Sequence, residues 1–417
     1  MSDRRSALAE LLDAGRTRTL ALFAPLDREH LVRQPDPIMS PPVWDLGHIA
    51  AYEELWLLRR LDGRPARHPE LDALYDAFET PRAQRGDAPL LPPEQTREFM
   101  DDVREGVHEV LGRADLGPDA PPLTREGFVF RMVAEHEAQH TETMLQCMRL
   151  LPAGVYTPPG RRPLPPGSRN GGPAWIEIPG GDFAMGTDGP EGYDCERPAH
   201  RREVSPFRIA RDPVSNAEHL AFMADGGYER PEFWSHEGWE WVRSSGARAP
   251  EYWEPDGEGG WIVRTFELTE RVDPEGILCH VCAHEADAHA AWAGARLPTE
   301  AEWERAAQGA RCEPAYANLD QLAFGPGRLG SVAPSGEGLR HMMGDVWEWT
   351  ASTFDGYPGF APFPYKEYSE VFFGPRYRVL RGGSWATRPC ATRATFRNWD
   401  LPQRRQIFCG MRLAKDA

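Results

Sequence analysis

Three histidines are the residues whose type and spacing could first support chemistry. His136 and His140 stand four apart in His136-Glu137-Ala138-Gln139-His140. Residues four apart on a helix share one face, with Cβ atoms about 5–6 Å apart, so two such imidazoles can hold one metal ion. The string is also the H-E-x-x-H of zinc proteases, where the glutamate is a general base on metal-bound water. That reading requires a third ligand at short downstream spacing, and none follows. A better third ligand lies upstream, in Trp44-Asp45-Leu46-Gly47-His48, because facing helices of a bundle can converge side chains on one core metal. Three histidines with open positions suit zinc, iron or copper alike, so ligand type leaves the metal open. Glu137 could be a base, but on a bundle helix it is expected to sit behind the ligands or face solvent. His30, His68 and His108 have no partners at such spacing and read as surface residues.

The elements that must position these histidines are helices over residues 1–151. Apolar positions Leu8, Leu11, Leu12, Leu20 and Phe23 predict a helix over 5–24. A second runs over 43–61 after Pro41-Pro42, since proline is tolerated at a helix start. An irregular crossover, 62–93, follows, then helices over 94–112 and 123–150. Four helices with one long crossover predict a four-helix bundle. Residues 152–173 are rich in Pro and Gly, break every period and read as a linker. From 174 to 417 the character changes to short strands (WIEI, RVLRGG), dense turns and helices over 284–294 and in RLPTEAEWERAA, giving a mixed α+β domain.

Length and composition set limits on function. At 417 residues, two domains are expected. A formal net charge of −17 argues against nucleic acid and anionic membranes as partners. No apolar run is long enough to span a bilayer. The N-terminal stretch is amphipathic and lacks the apolar core of a secretory signal, so a cytoplasmic address is expected. The seven cysteines are scattered. Cys279 and Cys282 form the one C-x-x-C, in a segment read as a strand running into a helix, and are expected to be packed thiols. Gly344-Asp345-Val346-Trp347-Glu348-Trp349 reads as core, with a structural calcium site as the alternative.

The pairing of WDLGHIAAYEELWLLRRL with EHEAQHTETMLQ resembles the DinB-like bundle of the ergothioneine-biosynthesis sulfoxide synthases, a family that includes selenoneine synthases. The second half resembles the formylglycine-generating-enzyme (sulfatase-modifying-factor) domain, a C-type-lectin-like fold, through IPGGDFAMGTD, ARLPTEAEWERAA, GDVWEWTAS and RVLRGGSWATRPCATRATFRNWDLPQRRQIFCGMRLAKD. A formylglycine-generating oxidase needs a cysteine pair after GGSW, and only Cys390 stands there. The RNWDxPxRRQIF string matches the thiohistidine-forming branch.

The resemblance implies an Fe(II) enzyme with O2 as co-substrate. It would join a thiol donor to the imidazole of Nα-trimethylhistidine (hercynine) as a sulfoxide. Matched residue by residue, His48, His136 and His140 are the iron ligands. Gln139 and Asn398 hold hercynine, with Trp399 beside that site. Arg82 and Arg85 grip the donor's carboxylates, and Asp400 and Arg404 are further donor contacts. Arginine's planar fork suits carboxylates, and a quaternary ammonium calls for an aromatic lining. A family tyrosine near the iron is not placed by spacing; Tyr365 and Tyr377 are the candidates. Departures at LYDAFETPRAQRGD and HVCAHEADAH leave a selenosugar donor and a C–Se bond as the alternative. A zinc-dependent DinB-like thiol transferase and a non-catalytic lectin-like module are the more distant readings.

Overall fold

The computed structural model describes residues 2–163, 165–167 and 174–417, so residue 164 and residues 168–173 of the Pro/Gly-rich stretch lie outside the described residues. The chain divides into two compact units, Met1–Pro159 and Gly160–Ala417.

The first unit is built on four long helices: α1 (Ser2–Phe23), α3 (Pro42–Glu53), α4 (Pro93–Arg113) and α5 (Phe128–Arg149), with a short α2 (Arg28–Val32) between the first two. Helix α1 packs on α4 and α5, and α3 packs on the same two, which closes a bundle. Prolines occupy the first turns of α3 and α4, where the missing N–H would have had no helical partner. The helix expected over 43–61 changes form partway: after Glu53 it widens into a π-helical segment, Glu54–Arg60. The crossover 62–93 holds two 3₁₀ turns, Pro69–Leu71 and Arg82–Asp87.

Each of the four long helices sends one charged side chain into the bundle centre. Arg16 of α1 bonds Glu53 of α3 (2.6 Å) and Glu137 of α5 (3.0 Å). Arg104 of α4 bonds the same two carboxylates at 2.7 and 3.2 Å. Two cations and two anions thus close a buried ring. Burial alone would raise the Glu137 carboxyl, but Arg16 and Arg104 outweigh it and hold it below its usual range.

The second unit is mixed α+β. Its strands are β1 (Trp175–Ile178), β2 (Gly181–Met185), β3 (His200–Val204), β4 (Phe207–Ala210), β5 (Trp253–Pro255), β6 (Trp261–Thr265), β7 (Leu268–Arg271), β8 (Trp347–Phe354), β9 (Gly374–Arg381), β10 (Asn398–Asp400), β11 (Cys409–Met411) and β12 (Ala414–Asp416). They form sheets β1-β4-β12, β10-β9-β8-β11 and β5-β6-β7 and the hairpin β2-β3. All pairings are antiparallel except β11 on β8. Helices α6 (Asn216–Ala224), α7 (His236–Ser245), α8 (Ala283–Trp292) and α9 (Glu300–Ala306) complete it. Ser215 and Thr299 start α6 and α9 with reciprocal capping boxes to Glu218 and Glu302. Trp303, Trp349 and Trp385 are fully buried.

The strand expected at Cys279–Cys282 does not form. Leu278 and His280 donate to the carbonyls of Val214 and Cys409, but His280 has φ of +68°, which breaks the extended run. Cys279 and Cys282 are buried and all seven cysteines are free thiols; burial pushes the Cys282 thiol well up, so it stays protonated. No helix among the described residues is long and apolar enough to cross a membrane.

Candidate metal centre

Helices α3 and α5 bring His48, His136 and His140 together. One nitrogen from each lies within 4.8 Å of the others, the only such group of three or more His, Cys, Asp or Glu among the described residues. His48 Nε2 is 3.1 Å from His136 Nε2. Ring centroids of His140 lie 4.5 Å from both other imidazoles. His48 is only 8 % exposed.

The outer nitrogens fix which way the lone pairs point. His48 Nδ1 lies 2.6 Å from the Tyr75 carbonyl oxygen, which can only accept, so Nδ1 carries the proton. His140 Nδ1 likewise donates to Asp45 Oδ1 at 2.9 Å. In a neutral imidazole the other nitrogen is then a bare acceptor: His48 Nε2 accepts from His136 Nε2–H at 3.1 Å, a contact that a cation shared by the imidazoles would replace. Burial holds the His48 and His136 imidazoles well below their ordinary pKa, favouring the neutral form that binds metal. The donor set therefore fits a divalent transition metal.

Each residue of the W-D-x-G-H string has a part in this geometry. Trp44 stacks on His48 (4.8 Å, 12°) and donates Nε1–H to the Leu74 carbonyl. Asp45 orients His140. A Cβ at Gly47 would overlap the Tyr75 ring, so glycine admits the residue whose carbonyl holds His48. Tyr52, one turn beyond His48, stacks on His136 with centroids 3.6 Å apart and planes 10° apart. Asp45, Tyr52 and Tyr75 were missed by the sequence reading. The first is inside the quoted motif and the second is at helical spacing from His48, so both left a signal; Tyr75, in the crossover, left none.

Glu137 is only 2 % exposed and is consumed by Arg16 and Arg104. It faces neither solvent nor the three imidazoles, because the next position along α5 turns it into the charge ring. That removes the base a zinc protease requires. His30, His68 and His108 are partly exposed and pair with Asp27, Glu70 and Asp13.

The two arginines read as loop residues differ. Arg82 is exposed, with a long 3.4 Å contact to the Ile38 carbonyl. Arg85 is 4 % exposed and lies 3.4 Å over the Trp44 ring. It donates to Ser40 Oγ (2.8 Å) and the Thr80 carbonyl (2.9 Å), and burial lowers it to about 10. Gln139 is partly exposed on α5 between His136 and His140.

In the second unit, Asn398, Trp399 and Asp400 are the three residues of β10. Trp399 stacks on Phe354 at 4.0 Å, with Phe372 and Tyr368 rings within 5.9 Å. Arg404 approaches Asp400 at 3.6 Å, and its Nη1 is buried without a hydrogen-bond partner. Tyr377 packs edge-on against Phe372, and Tyr365 against Tyr368. The carboxylates in the Gly344–Trp349 core are used internally: Asp345 accepts from Asn318, Gly327 and His341, and Glu348 from Trp303 and Arg412.

Comparison with known proteins places both units. Residues 11–144 match the DinB superfamily and residues 162–417 match the sulfatase-modifying factor enzyme 1-like domain. The hercynine oxygenase of Mycolicibacterium smegmatis is 45% identical over 440 residues, covering 99% of each chain. That of Mycobacterium tuberculosis is 44% identical, covering 98% of each. The formylglycine-generating enzyme of Streptomyces coelicolor is 32% identical over 58% of this chain and 89% of its own length.

Proposed function

This chain belongs to the hercynine oxygenase family, and from that membership we propose that it is a non-haem iron enzyme using O2 to join a thiol sulfur to the imidazole of hercynine as a sulfoxide. The balance is simple: one S–H, one imidazole C–H and one O2 give an S–C bond, an S=O bond and one water. An iron ion held by these histidines would supply redox-active Lewis-acid chemistry.

The chain's own residues have separable tasks in this reading. His48, His136 and His140 hold the metal. Gln139 and Asn398 orient hercynine by hydrogen bonds, and the ring of Trp399 receives the trimethylammonium, which has no N–H to donate. The stacking of Phe354 against Trp399 holds that ring in place. Arg82, Arg85, Asp400 and Arg404 bind the donor. The buried, unpartnered Nη1 of Arg404 supports this, since a buried donor without an acceptor is costly unless a ligand supplies one. Tyr365 and Tyr377 remain the candidate proton donors.

The observation that carries the reading is the convergence of three imidazoles, two with their outer N–H groups pinned, in a chain that aligns end to end with hercynine oxygenases. The test is turnover of hercynine with γ-glutamylcysteine, cysteine or a selenosugar, with and without O2, after loading with Fe(II) or Zn(II). Sulfoxide formed only with iron and O2 is expected. Activity of the zinc form without O2 would indicate a transferase instead, and turnover with the selenosugar alone would reassign the bond to C–Se.

A further inference from the structure

Asp45 carries the one carboxylate oxygen of the first unit that is buried without a hydrogen-bond partner among the described residues. It is 1 % exposed, yet its two oxygens are treated unequally. Oδ1 receives the His140 Nδ1–H at 2.9 Å, while Oδ2 is buried with no hydrogen-bond partner. In the charge ring nearby, every oxygen of Glu53 and Glu137 meets an arginine. A buried carboxylate left half unsatisfied is an expense the fold alone has no reason to keep. Its nearest competing explanation is as counter-ion to Arg85, whose ionisation senses Asp45. The Arg85 donors, however, are directed at Ser40, Thr80 and Ala77.

The geometry points to Asp45 as a positioning residue that, through His140, sets how tightly the metal is held. This rests on the three-histidine set being a metal centre. Helix α3 then grips the site twice: His48 ligates directly, and Asp45, three residues earlier on nearly the same face, reaches across to orient a ligand borne by α5. A carboxylate accepting the outer N–H of a ligating histidine fixes its tautomer and ring plane and raises its donor strength. The three ligands thereby become inequivalent. His48 leans on a neutral carbonyl, His136 on the face of Tyr52, and His140 alone on an anion. The negative charge also offsets part of the charge of a divalent ion bound by three neutral imidazoles.

The test is a Co(II) titration of the full chain followed by visible absorbance, with melting temperature of the metal-free protein recorded for each variant. Asp45→Asn keeps the shape and removes the charge, and should raise the Co(II) Kd by about 10–100-fold. In a His140→Ala background the same change should leave Kd within about twofold, because the route through His140 is gone. Asp45→Ser, read in the same way, covers a failure of Asp45→Asn to fold. An unchanged Kd accompanied by a lower metal-free melting temperature would overturn the inference and make Asp45 a counter-ion of Arg85. An equal loss with and without His140 would overturn it in favour of a general field effect. Failure of the native chain to bind Co(II) at all would instead refute the metal centre itself.

Discussion

Both units bury histidines in contact with one another, and the two clusters differ in where their nitrogen lone pairs point. In the bundle, His48 and His140 spend their outer N–H groups on Tyr75 and Asp45 and turn bare nitrogens inward. In the second unit, His219 of α6 and His289 of α8 face each other with Nδ1 atoms 3.3 Å apart. There the Tyr228 hydroxyl donates to Glu285 at 2.6 Å, so it accepts from His219 Nε2–H at 3.1 Å. His219 Nδ1 is then an acceptor, filled by the Nδ1–H of His289. Arg405 closes the chain on Glu285 at 3.0 Å. The same side chains, fully buried in the second unit and partly exposed at His136 and His140 in the bundle, thus give two outcomes. One cluster is tied into a chain that ends on Glu285 and Arg405, while the other turns nitrogens of three imidazoles toward one point, as a metal site would require.

The contrast can be broken most sharply by removing one histidine from each cluster. His136→Ala should abolish metal retention and reduce hercynine turnover to background, whereas His219→Ala should leave the metal content per folded chain unchanged, both read by elemental analysis. Next in size is the charge ring beside the three imidazoles. Glu137→Ala leaves two buried arginines short of an anion and should cost about 3–5 kcal/mol in denaturant unfolding. Turnover per folded molecule should stay within a few-fold; a loss of orders of magnitude would restore the role of general base.

Smaller effects sharpen the internal chain of the second unit. Tyr228→Phe removes the link between His219 and Glu285 and should cost about 1–3 kcal/mol without altering metal binding. The pH dependence follows from His289, which burial pulls down to about 3. Between that value and the unfolded value near 6.5, the unfolded chain binds the additional proton. Stability is therefore full above about pH 6.5 and falls by about 1.4 kcal/mol per pH unit as the pH drops toward 3. His289→Gln should flatten that acid limb in equilibrium unfolding followed across pH 4–7.

The sequence made the bundle legible because its helices carry strong punctuation: prolines before the second, third and fourth helices and an H-x-x-x-H pair that only a helix brings to one face. The π segment after Glu53 was invisible, since nothing in ELWLLRR distinguishes a widened turn from a regular one. For Glu137 two places stayed open, behind the histidines or facing solvent, for a related reason. Its neighbour His136 fixes the face toward His48 and His140, but the arginines that capture Glu137 lie 33 and 121 residues away in the chain. In the second unit short strands such as WIEI were readable, whereas the Cys279–Cys282 segment looked like a strand because a positive φ at His280 has no signature in a non-glycine residue. The resemblance singled out Asn398, Trp399 and Asp400. Their place on an edge strand, with Trp399 clamped by Phe354, required the fold.

The most direct measurement combines metal analysis with O2 consumption during hercynine turnover. Iron-loaded protein is predicted to carry one iron per chain and to consume one O2 for each C–S bond formed, with both signals lost in His48→Ala. Product formed at an undiminished rate under anaerobic conditions, or by a His48→Ala variant that still folds, would contradict the account.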